Sequence, residues 1–231
     1  ATGIAAGYAT NMPPHNLNEV VDATIFRLQN PDSSLQDIMS ILPGPDFPTG
    51  GIVQGRKGIE DAFRTGKGRV VVRSKCEIVQ EKTCQQIVVT EIPYEVIKGQ
   101  LVKKMDEIRV SKEIDGILDV RDESDRNGLR IVVDIKKESD ANMILNYFYK
   151  NTDLQVFYSY NNVAIIDKTP VQVGLLGLLD AFIDFRKEVV TRRSQYELAR
   201  MEARCHIIEG LMKAVSIVDE VIAIIRNSKD K

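Results

Sequence analysis

The spacing of apolar residues changes period several times along the chain, and each change marks an element. Leu17, Val20, Val21, Ile25 and Leu28 recur at intervals of three and four, which predicts a helix to about Gln29 with those residues on its inner face. Asn16 just before this run, with Glu19 three places on, is a capping-box pattern, and Pro13-Pro14 forces an extended approach. A second helix, about Ser34 to Leu42, ends at the Pro43-Gly44-Pro45 break, and Arg56 to Arg64 reads as a short third one. From Lys67 to Val79 the period drops to two, the mark of a strand, and Gln85 to Ile92 pairs back on it past a loop at Glu81 to Thr83 before Pro93 stops it. Tyr94 to Val110 returns to helical spacing through Val96, Ile97, Leu101, Met105 and Ile108. Ile117–Val120 and Leu129–Ile135 then form a hairpin over Asn127-Gly128, with Leu129, Ile131, Val133 and Ile135 sharing a face. A helix from about Ala141 to Tyr149 and further strand over Thr152 to Asp167 complete an α+β pattern, an antiparallel sheet with helices on one side.

From Val171 the pattern becomes one long helix. Leu178, Phe182, Phe185, Val189, Tyr196, Ala199, Ala203, Ile207 and Gly210 alternate by three and four, a coiled-coil seam, while Glu188, Arg192 and the charges from Glu197 to Arg204 supply solvated faces. Val215 to Arg226 continues as another apolar helix, and Asn227 to Lys231 frays. The expected division is therefore a sheet domain over residues 1–170 and a helical arm over 171–231.

Two stretches carry more than an element. In Ala1-Thr2-Gly3-Ile4-Ala5-Ala6-Gly7 one β-branched side chain, Ile4, stands among glycines and alanines. Ile4 is either a core residue in a small-residue turn or a wedge, whose small neighbours let the backbone approach a duplex while the side chain enters a base step from the minor groove. Along Lys67 to Val79 the period of two puts Arg69, Val71, Arg73 and Lys75 on one side and Val70, Val72 and Ser74 on the other. The basic side is either an ordinary solvated face or a row of like charges about 7 Å apart, commensurate with the rise of phosphates along DNA.

Composition and charge sharpen this reading. The chain has 231 residues and a formal net charge of −2, yet between Arg56 and Lys75 seven cations face only Glu60 and Asp61. Phosphate neutralisation is a contact effect screened over roughly 8–10 Å, so the local excess counts for more than the total. No apolar run reaches the length of a membrane span, and the start lacks the basic region and long hydrophobic stretch of a signal peptide. Ala rather than Met at position 1 suggests a piece of a longer chain. Cys76, Cys84 and Cys205 form no Cys-x-x-Cys pair, which argues against a disulfide framework or zinc site and for a reducing cytosol. His15 has no second His or Cys at ligand spacing and reads as a hydrogen-bonding residue at the start of the first helix. Pro43 to Gly51 is a stiff turn without the Gly-Lys-Ser/Thr ending of a phosphate loop. Asp122, Glu123 and Asp125 alternate with Arg121 and Arg126, which favours mutual neutralisation over a Mg²⁺ site.

The opening run, with Pro13-Pro14-His15-Asn16-Leu17 behind it, resembles the segment that follows the catalytic winged-helix region in the DNA breakage-reunion subunit of bacterial type IIA topoisomerases. The likeness continues in order through Leu42-Pro43-Gly44-Pro45-Asp46-Phe47-Pro48-Thr49-Gly50, Gly66-Lys67-Gly68-Arg69, Glu91-Ile92-Pro93-Tyr94, Arg121-Asp122-Glu123-Ser124-Asp125 and His206-Ile207-Ile208-Glu209-Gly210-Leu211, and so covers essentially the whole chain. Tyr8 after Gly7 and the wording from Val70 to Lys75 are more similar to the topoisomerase IV branch than to gyrase. Asn162 departs from the pattern, standing where relatives carry methionine, which leaves the packing there open.

The resemblance implies a tower domain over 1–170, with the end of the winged-helix region at its start, and the first arm of a coiled coil over 171–231. It implies an ATP-dependent enzyme that cuts both strands of one duplex through a phosphotyrosyl bond and passes a second duplex through, decatenating and relaxing DNA during chromosome segregation. The family's nucleophilic tyrosine follows an arginine; Tyr8, Tyr94, Tyr147, Tyr149, Tyr158, Tyr160 and Tyr196 do not. The expected piece therefore has no catalytic residue, cofactor or metal of its own, Mg²⁺ and ATP belonging to the family's other, B-type subunit, and it should be inactive alone. Its expected DNA contacts are Ile4, Lys67, Arg69, Arg73 and Lys75. Expected partners of the complete protein are double-stranded DNA, the topoisomerase IV B-type subunit and a second copy, giving an A2B2 heterotetramer, in the cytoplasm at the nucleoid with peripheral membrane association left open; the piece itself could be a monomer. A piece of the gyrase A-type subunit, a non-enzymatic coiled-coil scaffold, and a small-molecule enzyme built on His15 and the acids at 122–125 are the rival readings.

Overall fold

The computed structural model describes residues 2–126 and 128–228. They separate into two compact units, Ala1–Asp180 and Ala181–Lys231. In the first unit a hairpin of β1 (Thr2–Ala5) and β2 (Tyr8–Asn11) leads into α1 (Leu17–Gln29) and α2 (Leu35–Ile41). Then come β3 (Ile52–Gln54), α3 (Arg56–Thr65), β4 (Lys67–Arg73), β5 (Lys75–Gln80), β6 (Cys84–Glu91) and α4 (Lys98–Ser111). After these follow β7 (Ile117–Asp122), β8 (Ile131–Lys136), α5 (Ala141–Asn151), β9 (Gln155–Asn161), β10 (Val163–Ile166), β11 (Thr169–Gln172) and the start of α6 (Leu175–Ser216). This is the expected α+β class with antiparallel pairing, but the strands form separate sheets: β1-β2-β9-β4-β3, β5-β6-β8-β7, and the β10-β11 pair.

The division falls inside the run expected to be one strand from Lys67 to Val79. Ser74 is fully buried and gives its N–H to the carbonyl of Leu154 (2.8 Å), so the chain leaves the first sheet there. β4 pairs with β9 over seven residues, from Lys67↔Asn161 to Arg73↔Gln155, whereas β5 pairs with β6. Local alternation is identical on either side of Ser74; only the choice of partner strand differs.

Each large sheet has its own core. On the first, Val70, Val72, Tyr158 and Tyr160 meet Ala23 of α1, Ile38 and Met39 of α2, and Ile59, Ala62 and Phe63 of α3. Helix α3 lies on β4 at close range because both positions at the crossing are glycine: a Cβ on Gly58 would stand 2.1 Å from the Arg69 carbonyl oxygen, and one on Gly68 2.5 Å from that of Gly58. On the second sheet, Ile87, Val89, Ile131, Val133 and Ile135 are buried beneath Leu101 and Met105 of α4 and Ile144 and Phe148 of α5. The shared face expected for Ile131, Val133 and Ile135 is thus the core face. Of the turn expected at Asn127-Gly128, Asn127 lies outside the described residues, as do Ala1 and residues 229–231; Gly128 takes φ 148° and bridges Asp125.

Several expected boundaries move. Helix α1 turns Val20, Ala23 and Phe26 to the core, leaving Leu17, Val21, Ile25 and Leu28 exposed. Both rows have helical spacing, and the inner one is fixed by tertiary contacts: Arg27 makes a paired bond to Asp180 (2.7 and 2.8 Å) and donates to the Ser33 carbonyl. The Asn16 cap is present, its side chain accepting from Asn18 N–H, while the full reciprocal box belongs to Ser34 and Asp37 of α2. Tyr94 to Ile97 form a turn, with Glu95 at φ 69°, and α4 begins only at Lys98. Val171 lies in β11 rather than in a helix, and α6 starts at Leu175. The second unit holds the remainder of α6 and α7 (Val218–Asn227), with Phe182, Phe185, Tyr196 and Ile207 of the expected seam exposed.

Asn162 is buried, and its Oδ1 has no hydrogen-bond partner, although its backbone is fully engaged with Gly66 (2.7 Å) and Val173 (3.0 Å). A buried carbonyl oxygen left unpaired costs about 1–3 kcal/mol. Asn162→Met should therefore raise the unfolding free energy by about 1–2 kcal/mol in urea titration; a lower midpoint would show that the amide is satisfied.

Candidate nucleic-acid interface

Pairing register decides which residues of the first sheet share a surface. Lys67 lies opposite Asn161, Asn161 opposite Asn11, and Asn11 opposite Thr2. Alternation then puts Ile4, Lys67, Arg69 and Arg73 on one face, and Val70, Val72, Tyr158 and Tyr160 on the helix-covered one. Ile4 is 91% exposed at the outer strand, so it is not a core residue. The sheet thus brings together an aliphatic tip and three cations that lie more than sixty residues apart in sequence.

The hairpin carrying Ile4 is fastened to the sheet by amides. Asn11 Nδ2 donates to the Ser159 carbonyl (2.8 Å), and its Oδ1 accepts from Tyr158 Oη (2.8 Å) and Thr2 Oγ1 (3.1 Å). Asn161 Nδ2 donates to the Ala9 carbonyl (2.6 Å). Gly7, at φ 79°, supplies the left-handed residue of the two-residue turn between Ala5 and Tyr8. Only the tip projects; its base is tied to β9.

The basic row is held open rather than neutralised. Arg69 lays its guanidinium over the ring of Phe157, 3.6 Å from the centroid, and Arg73 sits 4.7 Å over Tyr149 while its Nε donates to Gln155 Oε1. Among the described residues, Lys67, Arg69 and Arg73 form no ion pair with a carboxylate. Lys75 is different. Expected in the same row, it belongs to the second sheet through β5 and faces Glu91 at 3.5 Å. Glu91 also accepts from Gly51 N–H (2.6 Å), and that bond with the nearby Lys75 holds its carboxyl below the usual range. The row is therefore three cations on one face, with Lys75 beyond the break.

Phe157, Gln155 and Tyr149 were not singled out by sequence. Strand alternation places Phe157 outward, which was a usable signal, but its position against Arg69 depends on the β4–β9 register. Tyr149 comes from a helix of the other core, and burial together with a hydrogen bond to Cys76 raises its phenol well above the usual range, so it meets Arg73 as a neutral ring.

The remaining candidates stay apart. His15 sits against Phe63 and Tyr160 in the first core, 5.8 and 6.4 Å between ring centroids. One ring nitrogen bonds the Pro13 carbonyl, and Nε2 is buried without a partner. Asp122 bonds Lys98 (2.7 Å) and Ser124, which pulls its pKa down to about 2. Arg121 bonds Asp134, Asp119 and Glu123, and Glu123 also meets Arg130 (3.1 Å). His15 packs against the first core whereas these acids sit on the surface of the second sheet, so they do not converge.

Burial depresses the His15 pKa, so the folded chain prefers the neutral ring. Below about pH 6.5 the unfolded chain takes up this proton first, and stability falls with pH. Asp122 and the other depressed carboxylates lose their contribution only at lower pH, between their unfolded and folded values. The unfolding midpoint should therefore fall between pH 7 and pH 5, and His15→Gln should flatten that slope; an unchanged slope would assign the titration elsewhere.

Fold and face together define an α+β module presenting a cationic sheet surface with a projecting aliphatic tip. Residues 1–231 match the family described as the A-type subunit of DNA gyrase/topoisomerase IV, and the chain belongs to that family. It is similar to the A-type subunit of DNA topoisomerase 4 from Bacillus subtilis (strain 168), at 57% identity over the whole chain and 29% of that protein. The corresponding proteins of Streptococcus pyogenes serotype M3 (strain ATCC BAA-595 / MGAS315) and Staphylococcus epidermidis (strain ATCC 12228 / FDA PCI 1200) are 56% and 52% identical over the whole chain, which covers 28% and 29% of them. The chain thus spans well under a third of these relatives.

Proposed function

We propose that the chain is a DNA-binding and DNA-bending piece of the A-type subunit of an ATP-dependent type II topoisomerase, of the topoisomerase IV kind, which decatenates and relaxes DNA during chromosome segregation. The observation that supports this reading is the common face of Ile4, Lys67, Arg69 and Arg73. Ile4 opens a base step from the minor groove while the cations neutralise phosphates on a flank, offsetting a bend that costs on the order of 1–6 kcal/mol. Readout is by deformability, and little base specificity follows. Lys75, paired to Glu91 on the other sheet, contributes less than the other three.

Strand cleavage is assigned to a tyrosine outside this chain. Asp122 and Glu123 are bonded to Lys98, Arg121 and Arg130, which supports reading these acids as neutralised by neighbouring cations rather than as a Mg²⁺ seat. Mg²⁺ and ATP are placed on the B-type subunit, in an A2B2 assembly in the cytoplasm at the nucleoid. The exposed apolar residues of α6 support its reading as the first arm of a coiled coil, with residues 1–170 as the tower domain.

Ile4→Ala should reduce bending of an end-labelled duplex, read as energy transfer between its ends, while shifting the unfolding free energy by no more than about 0.5 kcal/mol because the side chain is exposed. Equal bending by both proteins would remove the wedge. Reversing Arg69 and Arg73 together to Glu should weaken binding and reduce the slope of log K against log salt by about two. Lys75→Glu should change that slope less. A slope indifferent to the double reversal would take the row off the DNA surface.

A further inference from the structure

The two arginines of the open face rest on aromatic rings, and this seating bears on how they meet a ligand. Arg69 and Phe157 belong to neighbouring strands, and Phe157 remains 54% exposed although the guanidinium covers its ring at 3.6 Å. An exposed phenylalanine at the centre of a sheet gains nothing from water, so its contact with Arg69 is what the position provides. A carboxylate in its place would fix the guanidinium equally well but cancel its charge. An aromatic ring restrains the plane electrostatically and leaves the net positive charge and the edge N–H donors free. The same solution recurs at Arg73, held by Tyr149 and by the Gln155 amide, again with no carboxylate partner among the described residues. Gln155 and Phe157 both come from β9, the strand to which the Ile4 hairpin is tied through Asn11.

We infer that Phe157 is a positioning residue for DNA: it pre-orients Arg69 as a planar, uncompensated phosphate fork on the open face, in fixed relation to the Ile4 tip. The ligand is the sugar-phosphate backbone of duplex DNA, met without regard to base. Restraining the guanidinium before encounter removes part of the side-chain entropy cost of binding. This inference rests on the DNA-facing reading of the sheet. It adds that the aromatic seat, and not charge alone, sets the strength of the Arg69 contact.

The test uses the full 231-residue chain and an end-labelled duplex titrated at several salt concentrations. Phe157→Leu keeps an apolar side chain but removes the ring face. It should weaken binding about two- to fivefold with the salt slope unchanged, because the charge is still present. Phe157→Tyr should restore wild-type affinity. Arg69→Gln should weaken binding and lower the slope by about one, and Phe157→Leu combined with Arg69→Gln should be no weaker than Arg69→Gln alone. Full affinity in Phe157→Leu, or additive losses in the double variant, would overturn the inference while the effect of Arg69→Gln left the DNA face standing. Unchanged affinity and slope in both Arg69→Gln and Arg73→Gln would overturn the DNA face itself, and the inference with it. Matching unfolding midpoints for Phe157→Leu and wild type keep a folding defect apart from either result.

Discussion

The antiparallel ladder between Lys67–Arg73 and Gln155–Asn161 is the constraint on which the rest of the first unit depends. Its period of two sends Val70, Val72, Tyr158 and Tyr160 into the helix-covered core and the basic side chains away from it. A slip of one residue would bury the arginines and expose the valines, an exchange that burial energetics forbid. Gly58 and Gly68 let α3 close down on β4, so the same strand that displays the cations is anchored from behind. The open face is thus a by-product of a core that can be assembled in only one register.

The break at Ser74 shows how little local sequence has to change for the architecture to divide. Hydrophobic alternation runs straight through it, yet the Ser74 N–H is taken by Leu154 and the next residue pairs with a different strand. The division also sorts charge. Beyond it, Lys75 meets Glu91 and Arg121 gathers three carboxylates, so the second sheet compensates its own ions. Before it, Lys67, Arg69 and Arg73 form no ion pair with a carboxylate among the described residues. A chain of net charge −2 can therefore present a cationic surface, because between Arg56 and Lys75 seven cations face only two acids.

Aromatic rings serve the first unit in two ways. Phe47, Tyr94, Tyr158 and Tyr160 pack stacked, tilted and edge-on within it, with His15 and Phe63 closing the group beside the start of α1. Tyr158 reaches through to bond Asn11, so the interior cluster helps hold the base of the projecting hairpin. On the outer surface Phe157 and Tyr149 take up the arginines. Consecutive residues of one strand, Phe157 and Tyr158, thus face the proposed ligand and the core respectively, which ties the stiffness of one side to the order of the other.

By itself the sequence determined the type of most elements, the α+β class, the outward cationic side of Lys67–Arg73 and, through an ordered series of motifs, the family. These are properties of nearest neighbours in the chain: strand alternation, helical spacing, caps and proline breaks act over a few residues. The tertiary structure alone decided that Ile4 is exposed, that Lys75 leaves the row, that Val20, Ala23 and Phe26 rather than Leu17, Val21 and Ile25 face inward, and that Phe157 and Tyr149 seat the arginines. Each of these turns on which distant strand or helix supplies the partner. Periodicity fixes how faces alternate along an element, but two faces of one element become inside and outside only when something remote covers one of them.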